Sequence, residues 1–117
     1  MKLAVIGSRS YVDYPAFRST MNTWFACGGP LPALVVSGGA KGTDSMSEQW
    51  AVEHSIPTQI FLPDWNRHGK CAGYLRNKDI VNASDVVVAF WSGTSPGTRH
   101  SIGLAHEARK PLLIIYV

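Results

Sequence analysis

At 117 residues, with 45% apolar and 16% charged side chains, the chain has the size and composition of one compact globular domain. Its net charge of +3 does not by itself demand a nucleic-acid partner. No apolar stretch is long enough to span a bilayer, and the apolar run Leu3 to Gly7 is too short for a secretory leader and is closely followed by Arg9. The expectation is a cytoplasmic protein with no membrane partner. Cys27 and Cys71 lie outside any Cys-x-x-Cys or Cys/His cluster, so they read as two reduced thiols, and neither a metal site nor a cofactor is expected.

In chain order, β-forming runs alternate with helical ones. Leu3 to Gly7 reads as a first strand. Pro15 to Ala26 reads as a helix, with Pro in its first turn and Phe17, Met21, Trp24 and Phe25 at helical spacing. The loop Cys27-Gly28-Gly29-Pro30-Leu31-Pro32 ends it. Ala33 to Ser37 is a second strand. Thr43 to His54 is a second helix, N-capped by Thr43 or Asp44, with Met46 and Trp50 facing inward. Thr58 to Leu62 is a third strand. Lys70 to Asn82 is a third helix, with Ala72, Leu75, Ile80 and Ala83 roughly on one side. Asp85 to Trp91 is a fourth strand, Thr98 to Arg109 a fourth helix, and Pro111 to Val117 a fifth strand. Strands that are apolar almost throughout and alternate with helices specify a parallel sheet covered on both faces. The fold class predicted is α/β: a single Rossmann-like, doubly wound domain over residues 1–117, strand order 3-2-1-4-5. Its ligand crevice lies at the carboxyl ends of the strands, where the turns after strands one and four meet.

The turns after the strands carry the chemistry. Gly7-Ser8-Arg9 offers a tight exit, a hydroxyl and a planar cationic fork suited to phosphate; taken alone, it equally describes a solvated surface loop. Ser37-Gly38-Gly39-Ala40-Lys41-Gly42-Thr43-Asp44 is stronger, because its glycines fit an anion nest opening a helix and Lys41 lies within it. It matches neither a Walker A loop nor Gly-x-Gly-x-x-Gly. The third turn is long and holds Trp65, His68 and Lys70, followed by Arg76 and Asn77. Trp65 has two readings, stacking on a base or packing in the core. His68 reads as a phosphate contact, a base or an exposed imidazole. Trp91-Ser92-Gly93-Thr94-Ser95-Pro96-Gly97-Thr98 is rich in hydroxyls and glycine, and Gly97-Thr98 would open a helix toward the same crevice.

These motifs, in order along the chain, resemble the YspA-like branch of the SLOG superfamily. The similarity rests on Gly7-Ser8-Arg9, Ser37 to Asp44, Trp65 with His68-Gly69-Lys70-Cys71-Ala72-Gly73 and Arg76-Asn77, and Gly93 with Gly97-Thr98. The resemblance implies a Rossmann-like sheet that binds nucleotides or nucleotide-derived molecules, in a bacterial or phage setting. The wider superfamily includes the LOG phosphoribohydrolases and the DprA/Smf single-stranded-DNA-binding proteins.

Three functions follow. In the first, phosphate and ribose are held by Ser8, Arg9, Gly38, Gly39, Lys41, Gly42 and the turn of Ser92, Gly93, Thr94, Ser95, Gly97 and Thr98, with Trp65 or Trp91 on the base; Gly7, Ser37, Thr43, Asp44, His68, Lys70, Arg76 and Asn77 complete the candidate ligand-binding set. The second is LOG-like cleavage of a nucleoside 5′-monophosphate, for which Arg76 resembles the LOG arginine. The LOG glutamate position is Ser101 here, so no obvious catalytic carboxylate remains unless Asp44 points into the cleft and substitutes. The third, single-stranded DNA binding, ranks last because the positive charge gathers in one cleft rather than along a groove. Nucleic acid is therefore an unexpected partner, whereas SLOG relatives make a homodimer an expected assembly.

Overall fold

The computed structural model describes residues 1–26 and 30–117. Cys27 lies outside them, so the reading of it as a free thiol does too; Cys71 is an exposed free thiol. The strands β1 (Lys2–Gly7), β2 (Leu34–Ser37), β3 (Thr58–Ile60), β4 (Val86–Trp91) and β5 (Leu112–Tyr116) form one sheet in the order β3-β2-β1-β4-β5. Every neighbouring pair is parallel, as the 3-2-1-4-5 expectation required.

Alternation along the central strands divides the core in two. Leu3 and Val5 point to one face, where Phe17 and Met21 of α1 (Tyr14–Ala26) and Met46 and Trp50 of α2 (Thr43–Glu53) cover them. Ala4 and Ile6 point to the other face, against Ile80 and Val81 of α4 (Ala72–Ala83) and Ala105 of α5 (Pro96–Glu107). The two central strands β1 and β4 are thus buried on both sides, which is why they read as continuous apolar runs.

The structure differs from the sequence reading at several element ends. The third helix is two pieces: α3 (Trp65–His68), then a 3₁₀ turn over Gly69–Cys71 leading into α4. Asp64 caps α3 by accepting from the Arg67 amide at 3.1 Å, and Gly69, at φ 57°, ends it. Gly42, not Thr43 or Asp44, holds the cap position of α2, because both of those side chains are engaged elsewhere. The fourth helix starts at Pro96, whose fixed φ suits a first turn. The third strand stops at Ile60 and all three of its residues are exposed, so β3 is an edge and not a doubly covered strand. Among the described residues no helix is long and apolar enough to cross a membrane.

Two contacts that sequence spacing does not reveal fix the site's frame. The Thr43 hydroxyl donates to the Ser8 carbonyl oxygen at 3.0 Å, and a Cβ on Gly42 (φ 75°) would strike the Arg9 carbonyl and lie 2.7 Å from that of Ser8. The first and second turns can stack only with glycine there. At the far end of the molecule, the Lys110 ammonium donates to the carbonyls of Val81 (2.6 Å), Asn82 (3.2 Å) and Ser84, closing the C-terminus of α4 with charge.

Gly42→Ala is expected to cost about 3 kcal/mol, combining left-side backbone strain with the carbonyl clash. Thermal denaturation checks it. Lys110→Met should cost about 2 kcal/mol by removing a charged donor from three carbonyls, of which that of Val81 keeps the Ser84 amide and hydroxyl, lowering the Tm by several degrees in the same measurement.

Candidate functional site

At the carboxyl ends of β1 and β4, where the chain reverses its direction of winding, lies a cleft of about 670 Å³. Four segments line it. The first turn contributes Gly7, Ser8, Arg9 and Ser10. The second contributes Ala40 and Asp44. Trp65, Lys70, Gly73, Tyr74, Arg76, Asn77 and Ile80 come from α3, α4 and the turn between them. Ser92, Thr94, Ser95, Pro96, Gly97, Thr98 and Ser101 come from the last turn and α5.

On the β4–α5 side the lining is a chain of hydroxyls. Ser8 Oγ donates to Ser92 Oγ and accepts from the Ser92 amide, both at 3.2 Å. Ser92 Oγ meets Thr94 Oγ1 at 3.1 Å, and Ser95 Oγ meets Thr98 Oγ1 at 3.1 Å. No side chain caps the N-terminus of α5, which opens on this wall, so its first amides are not consumed by a capping oxygen. Asn77 ties the wall to α4: its Nδ2 donates to the Gly97 carbonyl at 3.4 Å and lies 3.4 Å from His100 Nδ1. His100 in turn meets Tyr74 edge-on, with ring centroids 4.6 Å apart.

The opposite wall is ionic. Arg76 is half-buried, donating Nη1 to the Gly38 carbonyl at 2.6 Å and Nε to Asn77 Oδ1 at 3.1 Å. Burial pulls its pKa down, the Asp44 charge opposes this, and the Arg9 charge adds to it. Asp44 is buried beside it, accepting from the Ala40 amide at 3.2 Å. Burial pushes its carboxyl above the ordinary range; the Ala40 amide, Arg76, Arg9 and the Gly38 amide pull it back in part. Behind it, Glu48 is also raised, by burial and then by the Asp44 charge, while the Ser37 hydroxyl bonded to it at 3.3 Å opposes the rise. Among the described residues, the one side-chain ion pair joins Arg18 to Glu53, far from this wall. Arg9, Lys70 and Arg76 therefore face the cleft with no carboxylate in ion-pair contact.

Of the residues singled out by sequence, the structure gathers Gly7, Ser8, Arg9, Asp44, Trp65, Lys70, Arg76, Asn77, Ser92, Thr94, Ser95, Gly97 and Thr98 around this cleft. Trp65 is 53% exposed, so it sits at the rim and not in the core. The others lie outside the lining. Ser37 is buried against Glu48, and Gly38 supports Arg76. Gly39, at φ 70°, packs beside Ile60 and Leu62. Gly42 and Thr43 clasp the first turn. Lys41 and His68 are exposed. Trp91 turns away, donating Nε1 to the Ser95 carbonyl at 3.2 Å while the Arg99 guanidinium sits 5.7 Å over its ring. Gly93, at φ 90°, provides the bend of that loop. Sequence reasoning overlooked Ile6, Ser10, Tyr74 and Ile80 as lining residues. The signal was present: Gly73, Asn77 and Ile80, spaced by four and three, form one helical stripe.

The chain is similar to proteins from several sources. It is 35% identical to "Gene 61 protein" of Mycobacterium phage D29 over 123 aligned positions, covering 96% of this chain and 94% of that protein. DNA processing protein A (DprA) of Helicobacter pylori, whose structure was described for its single-stranded DNA binding mode, is 26% identical with a TM-score of 0.73. That match covers 97% of this chain and 64% of the other. DprA of Streptococcus pneumoniae is 17% identical with a TM-score of 0.77, over 97% of this chain and 49% of that one. The protein TM1055 is 23% identical with a TM-score of 0.67, over 95% and 71% of the two chains. This chain thus spans about two thirds and about half of the two DprA chains, and the last two likenesses establish a common fold. The model of the YspA, cpYpsA-related SLOG family (YAcAr) matches residues 1–68. With that match and the phage relative together, the chain belongs to the YspA, cpYpsA-related SLOG family.

Proposed function

We propose that the cleft binds a nucleotide or nucleotide-derived phosphorylated ligand and holds it without cleaving it. The observation that carries this reading is that Arg9, Lys70 and Arg76, free of carboxylate ion pairs, line the same cleft as the wall of hydroxyls and the uncapped start of α5. A phosphate there meets charge, hydroxyl donors and a helix N-terminus at once. Trp65 at the rim offers an aromatic face to a base. The position that the LOG resemblance gives to a catalytic glutamate is Ser101, a hydroxyl buried in the cleft wall, and the carboxylate the cleft does hold, Asp44, is bonded by a backbone amide of the second turn. With a relative in a mycobacterial phage, such a cleft suits sensing or sequestering a nucleotide.

A second reading, single-stranded DNA binding, is favoured by the likeness to Helicobacter pylori DprA. It asks for several phosphates to be met along a groove, and so for a steep salt dependence. The cations gathered in one cleft favour the smaller ligand.

Titration calorimetry with AMP and with inorganic phosphate should show binding. Arg76→Ala and Arg9→Ala should each weaken it about tenfold, the loss of one charge-assisted contact. Lys41→Ala, outside the cleft, should leave it unchanged. Binding of an oligodeoxynucleotide that AMP does not displace, with a steep salt slope, would replace this reading with the second. Chromatography of nucleoside monophosphates incubated with the protein should show no free base, and base release would establish an enzyme.

A further inference from the structure

The cleft contains a group that a phosphate site has no use for. Asp44 is the one carboxylate among the lining residues and is only 8% exposed. Beside a bound phosphate its charge would repel the ligand, by an amount that grows as water is excluded. Its obvious partner does not take it up. Arg76 and Asp44 both crowd Gly38, where a Cβ would lie 2.6 Å from Arg76 Nη1 and 2.9 Å from Asp44 Oδ2. Yet the guanidinium gives its hydrogen bonds to the Gly38 carbonyl and Asn77, and the two side chains form no ion pair. Backbone amides of the second turn use part of the carboxylate's acceptor capacity; a carboxylate has about four lone-pair sites.

A buried carboxylate on the wall across from the hydroxyls, with acceptor capacity beyond the backbone amides it already receives, fits an uncharged part of the ligand that donates hydrogen bonds. In a nucleotide that part is the sugar. We propose that Asp44 accepts hydrogen bonds from the vicinal 2′- and 3′-hydroxyls of the ligand's ribose, so that the cleft prefers ribonucleotides to 2′-deoxyribonucleotides. The inference rests on the nucleotide reading of the cleft and adds the sugar to it. Its physical logic is that of other doubly wound sheets, in which an acidic side chain near the second strand reads ribose hydroxyls while a helix N-terminus holds phosphate. Burial holds the Asp44 carboxyl above its ordinary range, and two hydroxyl donors would offset that cost of desolvation.

The test compares ribose 5-phosphate with 2-deoxyribose 5-phosphate, and AMP with its 2′-deoxy and 3′-deoxy forms, by titration calorimetry against the intact chain. Inorganic phosphate serves as the control. The ribose forms should bind at least about tenfold more tightly than either deoxy form, because the deoxy ligand leaves a buried acceptor unpaired. Asp44→Asn, which keeps an oxygen for the Ala40 amide, should narrow that ratio to below about threefold. Equal binding of ribose and deoxyribose forms, with phosphate and AMP still bound, overturns the role of Asp44 and leaves the cleft's phosphate reading standing. Full discrimination retained in a folded Asp44→Asn protein overturns it as well. No binding of any probe, phosphate included, overturns both readings. The wild-type comparisons stand without the variant should it fail to fold.

Discussion

The Ser8 carbonyl oxygen is the point on which the site is built. It receives the Thr43 hydroxyl at 3.0 Å and the Thr43 amide at 3.4 Å, while the Ser8 amide donates to the Phe90 carbonyl at 2.9 Å. One residue thus joins the ends of three elements, β1, α2 and β4. Ser8 is buried, and each of these bonds is sheltered from competition with water. Arg9 follows it into the cleft from one side, and Asp44 follows Thr43 from the other. The backbone junction thus carries the residues that bear both charges.

That arrangement explains how opposite charges coexist in one cleft without forming an ion pair. Arg76 is held by a carbonyl and an amide oxygen, Asp44 by backbone amides, and neither is drawn into an ion pair with the other. A buried ion pair would be a poor receptor, since its mutual attraction would have to be given up before a ligand could be engaged. Neutral backbone and amide partners hold the groups in place and leave their net charges available.

Much of the fold was legible because it depends on local patterns. The apolar runs at Leu3–Ile6 and Val87–Phe90 are buried on both faces, and that burial alone implies a parallel, helix-covered sheet. Part of the cleft lining was legible too, since Arg9 and Ser92 follow closely on strand ends and Thr98 lies in the first turn of the helix after β4. What could not be read is which glycines serve a ligand and which serve the chain. Gly42 carries the same letter in either case; only the carbonyls of Ser8 and Arg9 packed against it show that it makes room for backbone. Lys41 beside it drew attention as a cation within a glycine-rich turn, yet the stacking of the two turns leaves its side chain outside the cleft. Trp91 misled for a related reason: its indole donates within its own loop, a contact spanning four residues that composition does not distinguish from a stacking platform.

The edge strand β3 has a consequence for how this molecule behaves in crowded solution. Its free edge is unpaired by any strand, and Ile60 at its end and Leu62 just beyond are open. A longer strand of that character would template pairing with other chains. Here Pro57 precedes the strand, Pro63 lies three residues past its end, and only three residues between them pair with β2. An intruding strand would gain too few ladder bonds to repay its lost freedom, so brevity and imino acids protect this margin against aggregation where charge is absent.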